Sequence, residues 1–249
     1  MAEQQETIGG HPTWNLPVLG SVHSDTIWIT WVAMAVTLVL LFLATRVYSP
    51  TRVTKRQTFM ELLVGFLENL AVDTLGPAGR PFVPLTIAIF TFILVLNEIG
   101  LVPWPGRSPT SDLNTTAGMA LFVFIMLYVV GIKNHGIKYF KHWLGPKELG
   151  PIGMVALIPI NLIEDFTKPV TLAMRLFGNI LAGEILLFVV ATIIASHLVI
   201  GPLNISAGAT IAPFLIYGFN LFVGLIQALV FTLLTVAYLM TPTSEEGSH

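Results

Sequence analysis

The chain has 249 residues, 54% hydrophobic and 10% charged, with a net charge of −2 and no cysteine; its mean hydropathy is +0.80. A soluble domain carries about 25% charged residues, so this composition excludes a soluble globular fold and leaves one membrane domain with no room for a separate catalytic unit. The missing cysteines exclude disulfides and thiolate metal sites, and the near-neutral charge carries no signal for nucleic acid.

Residues 1–25 are a polar N-terminal segment with Gly9, Gly10, His11 and His23, lacking the basic stretch, short apolar core and cleavage site of a signal peptide. The first apolar run, 26–48, can cross a hydrocarbon layer of ~30 Å. Arg46, Arg52, Lys55 and Arg56 stand at its end, which puts that end in the cytoplasm and the N-terminus outside. Over 57–75, Phe59, Leu62, Leu63, Phe66, Leu67 and Leu70 recur at helical spacing with Glu61, Glu68, Asn69 and Asp73 between them. This predicts an amphipathic helix that lies on the membrane or packs along a partner. Gly76-Pro77-Ala78-Gly79 ends it.

The second span, 82–104, carries Asn97 and Glu98 near its outer end. Glu98 either sits in the headgroup layer or belongs to a channel. Pro103-Trp104-Pro105-Gly106 reads as an interfacial stop. The polar loop that follows can cap the next helix through Asp112 or Asn114. The third span, 117–132, returns inward to Lys133, Lys138, Lys141 and Lys147. His135 and His142 lie among those lysines, which argues against a metal site, and neither metal nor cofactor is expected.

The stretch 154–200 would be ~70 Å long as one helix at ~1.5 Å per residue. Either Pro159 and Pro169 break it, or it lies strongly tilted. Glu164 and Lys168 stand at i, i+4 in the favourable order, so a structural salt bridge is the default for Lys168. Glu164 and Asp165 are candidates for a water-lined route to the cytoplasm. Further on, Met174-Arg175-Leu176-Phe177-Gly178-Asn179-Ile180-Leu181-Ala182-Gly183-Glu184 places an arginine, an amide and a carboxylate inside the apolar run. A guanidinium at membrane depth costs at least ~2.5–3.5 kcal/mol and cannot escape by deprotonation. It snorkels, forms a structural ion pair, or faces a partner carboxylate or a water-filled cavity. Arg175, Asn179 and Gly183 share one helical face, and Glu184 falls roughly opposite Arg175.

After a break at Gly201-Pro202-Leu203-Asn204, the last apolar element covers 207–240. Asn220, Gly224 and Gln227 form a stripe on it, with Tyr238 further along the same face. Residues 241–249 are a polar C-terminal tail. The expected fold is an all-α integral membrane protein with about five transmembrane helices and one amphipathic membrane-surface helix. The last two long helices are tilted as a hairpin, and the C-terminus is cytoplasmic.

The arginine-centred motif, the preceding Pro159-Ile160-Asn161-Leu162-Ile163-Glu164-Asp165-Phe166-Thr167-Lys168-Pro169, and Gly224-Leu225-Ile226-Gln227-Ala228-Leu229-Val230-Phe231 resemble subunit a of the F-type ATP synthase. The loop Pro109-Thr110-Ser111-Asp112-Leu113-Asn114-Thr115-Thr116 resembles that of bacterial and chloroplast members. The resemblance runs from about Trp28 to Tyr238. It implies a non-catalytic stator subunit of the Fo sector, carrying protons through two offset half-channels to the carboxylates of a rotating ring of c subunits. The implied partners are that c-ring, the peripheral-stalk b subunits, the other F1Fo subunits and the bilayer. The implied location is a bacterial plasma membrane, with a thylakoid membrane as the other possibility.

On this resemblance Arg175 separates the half-channels. Glu184 sits in the outer one with Asn220, Glu98 and Asp112, Glu164 and Asp165 line the cytoplasmic exit, and Asn179 and Gln227 orient Arg175 or its water. Gly178, Gly183 and Gly224 are implied to pack helices against the c-ring. One departure stands out: some bacterial relatives have histidine at the position of Asn220, and asparagine does not titrate near neutral pH. Two rival classes fit less well. A secondary ion transporter with an Arg–carboxylate relay usually shows inverted repeats, which are absent from this sequence. An intramembrane hydrolase would need a base for Ser196, but adjacent His197 diverges from it on a helix, and no HExxH pattern occurs.

Overall fold

The computed structural model describes residues 13–16, 20–47, 54–102, 108–144, 153, 155–195 and 206–243. The N-terminal glycines and His11, Arg52, the stop at 103–106, Lys147, Ser196, His197, the break at 201–204 and the tail from 244 lie outside the described residues. A short antiparallel hairpin comes first, strand β1 (Thr13–Leu16) pairing with β2 (Gly20–His23) so that Thr13 faces His23. The polar N-terminal segment thus holds local structure that its composition did not signal.

The other regular elements among the described residues are helical. Helix α1 (Ser24–Val47) is apolar nearly all round, and Trp28, Trp31 and Phe42 are more than half exposed. Such a surface is stable only in lipid or against a partner. Helix α2 (Lys55–Leu75) is capped by Thr54, whose side chain accepts from the Gln57 N–H at 3.3 Å. Its apolar stripe divides: Leu67 and Ala71 are buried, whereas Phe59, Leu62 and Phe66 stay exposed beside Glu61, Glu68, Asn69 and Asp73. One edge therefore packs on the bundle and the other is left for the membrane.

A 3-10 segment (Gly76–Phe82) leads into α3 (Val83–Glu98), and another (Pro109–Ser111) precedes α4 (Leu113–His135). Gly76 and Gly136 follow α2 and α4 with φ of 64° and 61°, a conformation that favours glycine. Helices α5 (Ile158–Ala195) and α6 (Ser206–Tyr238) have 38 and 33 residues, roughly 57 and 50 Å at ~1.5 Å per residue. Pro169 lies inside α5 without ending it, whereas α5 begins at Ile158, immediately before Pro159, so only the second proline is carried in the interior of the long helix. Both helices exceed a ~30 Å hydrocarbon layer and need tilt to stay within it. A final turn, α7 (Met240–Thr243), is held by Asn134 and His135, which bond the Pro242 carbonyl.

Among the described residues, five helical stretches are long and apolar enough to cross a membrane: Thr26–Arg46, Lys55–Leu101, Leu113–Trp143, Ile158–Leu186 and Ile216–Thr243. The fold is that of an all-α integral membrane protein. Its core is formed by Leu67, Phe90, Ile93, Val123, Leu172, Leu176 and Phe231, drawn from α2 to α6. Buried threonines fit this core because their hydroxyls bond carbonyls one turn back, as Thr232 does to Ala228 and Thr235 to Phe231.

Candidate functional site

Arg175 lies within the membrane-length part of α5 and is half-buried. Among the described residues the ion pairs are His142–Asp165 and Lys168–Asp165, and Arg175 has neither an ion pair nor a hydrogen bond. The structural ion pair considered for it finds no partner there. One turn on, Asn179 Nδ2 donates to Gln227 Oε1 of α6 at 2.7 Å. Gln227 is buried, and its Nε2 has no partner among the described residues. A further turn brings Gly183 so close to α6 that a Cβ there would lie 2.8 Å from Asn220 Oδ1. The pairs 179–227 and 183–220 show that α5 and α6 run antiparallel. Asn179 and Gly183, two of the three residues on the face read from helical spacing, are turned to α6.

The three glycines behave differently. Gly178 is exposed, and a Cβ added there would meet nothing within 4 Å. Gly183 and Gly224 use their smallness inside the chain, against Asn220 and against Asn97 and Glu98 respectively.

Glu184 turns elsewhere, as its position roughly opposite Arg175 requires. The Ser108 N–H donates to its Oε1 at 3.2 Å. Ser108 Oγ donates to the Leu96 carbonyl at 2.8 Å and lies 2.6 Å from Thr110 Oγ1. Thr110 Oγ1 donates to Asn97 Oδ1 at 3.0 Å, and Asn97 Nδ2 donates to the Gly224 carbonyl at 3.1 Å. This polar seam joins α3, α5, α6 and the loop before α4. Gly100 makes it possible, since a Cβ there would lie 2.6 Å from Ser108 Cβ. Beside the seam, both carboxylate oxygens of Glu98 are enclosed and have no partner among the described residues.

Asp112 caps α4 by accepting from the Asn114 N–H at 2.9 Å, and it accepts from Thr26 Oγ1 at 3.3 Å. It also borders a largely apolar cavity of about 610 Å³ between α1, α3 and α4. These two bonds serve the start of α4 and the docking of α1.

At the other end of the bundle Glu164 is exposed and Asp165 buried. Asp165 Oδ2 accepts from Tyr128 Oη at 2.9 Å and Trp143 Nε1 at 2.8 Å, and lies 2.7 Å from His142 Nε2. Lys168 Nζ donates to its Oδ1 at 2.6 Å. The expected Glu164–Lys168 bridge is therefore replaced by Asp165–Lys168, because Asp165 is the carboxylate that α5 turns into the bundle. Lys168 also sits 6.0 Å from the centre of the Tyr238 ring. Tyr128, His142 and Trp143 join this site without having been expected there from the sequence. The signal that could have found them is the aromatic run from Tyr139 to Trp143, whose rings cluster around Tyr128. No group of three or more metal-ligating side chains occurs among the described residues.

Membrane-length helices with an arginine unpaired among the described residues and an inter-helix amide pair one turn from it define a multi-pass, all-α membrane protein with an intramembrane polar site. The sequence model of the family described as ATP synthase A chain matches residues 27–240. The chain is 40% identical to ATP synthase subunit a 3 of Pelobacter propionicus over 91% of each chain. It is 39% identical to ATP synthase subunit a of Geotalea daltonii over 90% of this chain and 89% of that one. To ATP synthase subunit a of Desulforamulus reducens it is 33% identical, over 95% and 90%. The chain belongs to the ATP synthase subunit a family.

Proposed function

We propose that the chain is the proton-conducting stator subunit of the Fo sector of an F-type ATP synthase. It passes protons between two offset aqueous half-channels and the carboxylates of a rotating c-ring. The observation that carries this reading is Arg175, a permanent charge in a membrane-length helix with no ion-pair partner among the described residues. Such a charge calls for a counter-charge that the described residues do not supply, and a carboxylate passing on a ring fits that need. An opposite charge within a few ångströms favours the ionised carboxylate, so Arg175 strips the proton as each ring site passes. The same charge repels protons and keeps the half-channels from joining.

Glu184 receives protons from the outer side, with Asn220, Glu98 and Asp112 around its approach. Glu164, exposed on α5, lines the cytoplasmic exit with Asp165 anchored beside it. Asn179 and Gln227 hold the α5–α6 seam next to Arg175. Gly178 leaves room on the open face of α5 for the ring, while b subunits cover part of the exposed apolar surface of the other helices. Each charge moved yields about 2.3 kcal/mol per 100 mV, which offset channels convert into directed rotation. The chain itself is non-catalytic, sits in a bacterial plasma membrane with its C-terminus in the cytoplasm, and serves ATP synthesis by the complex.

The test is ATP-driven proton pumping in inverted vesicles carrying Arg175→Ala, with complex assembly measured in parallel. Assembly without pumping is the expected result. Pumping near the wild-type rate would make Arg175 structural and overturn the reading.

A further inference from the structure

We infer that Glu98 is a proton-relay carboxyl acting in series with Glu184, housed in a notch that Gly224 opens between α3 and α6. The inference rests on the stator reading and deepens it by naming the second titratable group of the outer half-channel. Three observations converge. Both Glu98 oxygens are enclosed without a hydrogen-bond partner among the described residues, although the polar side chains of the adjoining seam are paired. A buried carboxyl left without donors costs stability, so a structural role does not account for it. Gly224 shapes the space: a Cβ there would lie 2.5 Å from Glu98 Oε1 and 3.3 Å from Asn97 Cβ. The adjacent seam runs from Gly224 through Asn97, Thr110 and Ser108 to Glu184, which accepts from the Ser108 backbone N–H, and the Ser108 and Thr110 hydroxyls lie 2.6 Å apart, so that one donates to the other when it releases the Leu96 carbonyl or Asn97.

Asn220, one turn before Gly224 on α6, carries an amide that does not titrate near neutral pH. Glu98 fills that chemical role from the neighbouring helix. In the step, protonated Glu98 releases its proton through intervening water to the Glu184 carboxylate. The Glu98 carboxylate left behind takes up one proton from the outer aqueous side, so one proton enters for each one passed on.

The experiment uses the whole complex in inverted vesicles with Glu98→Gln, Glu98→Asp and Glu98→Ala, each normalised to assembled complex. The relay predicts at least a tenfold loss of ATP-driven pumping in Glu98→Gln and Glu98→Ala, recovery to more than half of wild type in Glu98→Asp, and loss of one carboxylic-acid C=O band in infrared spectra of the purified Glu98→Gln complex. Pumping by Glu98→Gln within twofold of wild type, or equal impairment of all three variants, overturns the relay. Failure of Glu98→Asp to assemble while Glu98→Gln assembles and pumps does the same. Arg175→Ala separates the two readings: if it stops pumping while Glu98→Gln does not, the relay falls and the stator reading stands.

Discussion

Asn179 and Gln227 bond to each other at 2.7 Å across the seam between the two longest helices, one turn from Arg175. The bond uses the Gln227 oxygen and leaves its buried Nε2 facing no acceptor among the described residues. A buried donor kept in that condition costs stability.

Removing either amide orphans the other. Gln227→Leu and Asn179→Leu should each destabilise the α5–α6 seam by about 1–3 kcal/mol, while the double variant loses less than the sum. Thermal unfolding of the purified complex for the two single variants and the pair measures the coupling. Additive losses would show that the two amides do not act as a unit.

Asp165→Asn should be the most damaging single change outside the Arg175 region. It removes the charge that Lys168 bonds at 2.6 Å and that Tyr128, His142 and Trp143 surround. Hydrogen bonds to charged groups contribute about 1.5–3 kcal/mol each, and the orphaned Lys168 adds to the loss. Protease susceptibility of the 136–144 segment in membranes should rise sharply. Unchanged cleavage would mean that the cluster does not hold the segment.

Glu164→Gln offers the contrast. Glu164 is exposed, and its carboxylate makes no ion pair among the described residues, so stability should change by no more than about 0.5 kcal/mol. Under the proposed exit role, pumping should nevertheless fall severalfold. A wild-type rate would move the exit away from Glu164.

Gly183→Val should push the Asn220 side chain aside and crowd the α5–α6 contact, since even a Cβ would stand 2.8 Å from Asn220 Oδ1. Overpacking of this kind costs about 1–3 kcal/mol. Gly178→Ala meets nothing within 4 Å among the described residues, so the isolated subunit should tolerate it. Cysteine cross-linking between positions 179 and 227 in each background reports the spacing, with a drop expected only for Gly183→Val.

Much of the fold was legible because membrane insertion is decided segment by segment. Apolar runs, basic flanks and the overlong 154–200 stretch each carry their own transfer free energy. The cap of α4 was legible as Asp112 or Asn114 for a similar reason, since a cap bonds its own next turn, and the structure selects Asp112. The N-terminal hairpin was not, because a four-residue strand pair depends on its partner more than on any periodicity. Lys168 shows the limit most clearly. Helical spacing allowed both Glu164 and Asp165 as partners, and only the direction in which α5 faces the bundle chose between them.

The sequence by itself determined the membrane class, the number of long apolar elements and the placement of Arg175, Asn179 and Gly183 on one face, since hydropathy and helical period are properties of consecutive residues. Only the tertiary structure decided which polar groups meet. Asp165 finds donors 22, 23 and 37 positions away, and Asn97 reaches across 127 positions to Gly224. Those pairings depend on how the helices are rotated and packed against one another. That packing is set by the fit of many side chains at once, and no local stretch of the chain encodes it.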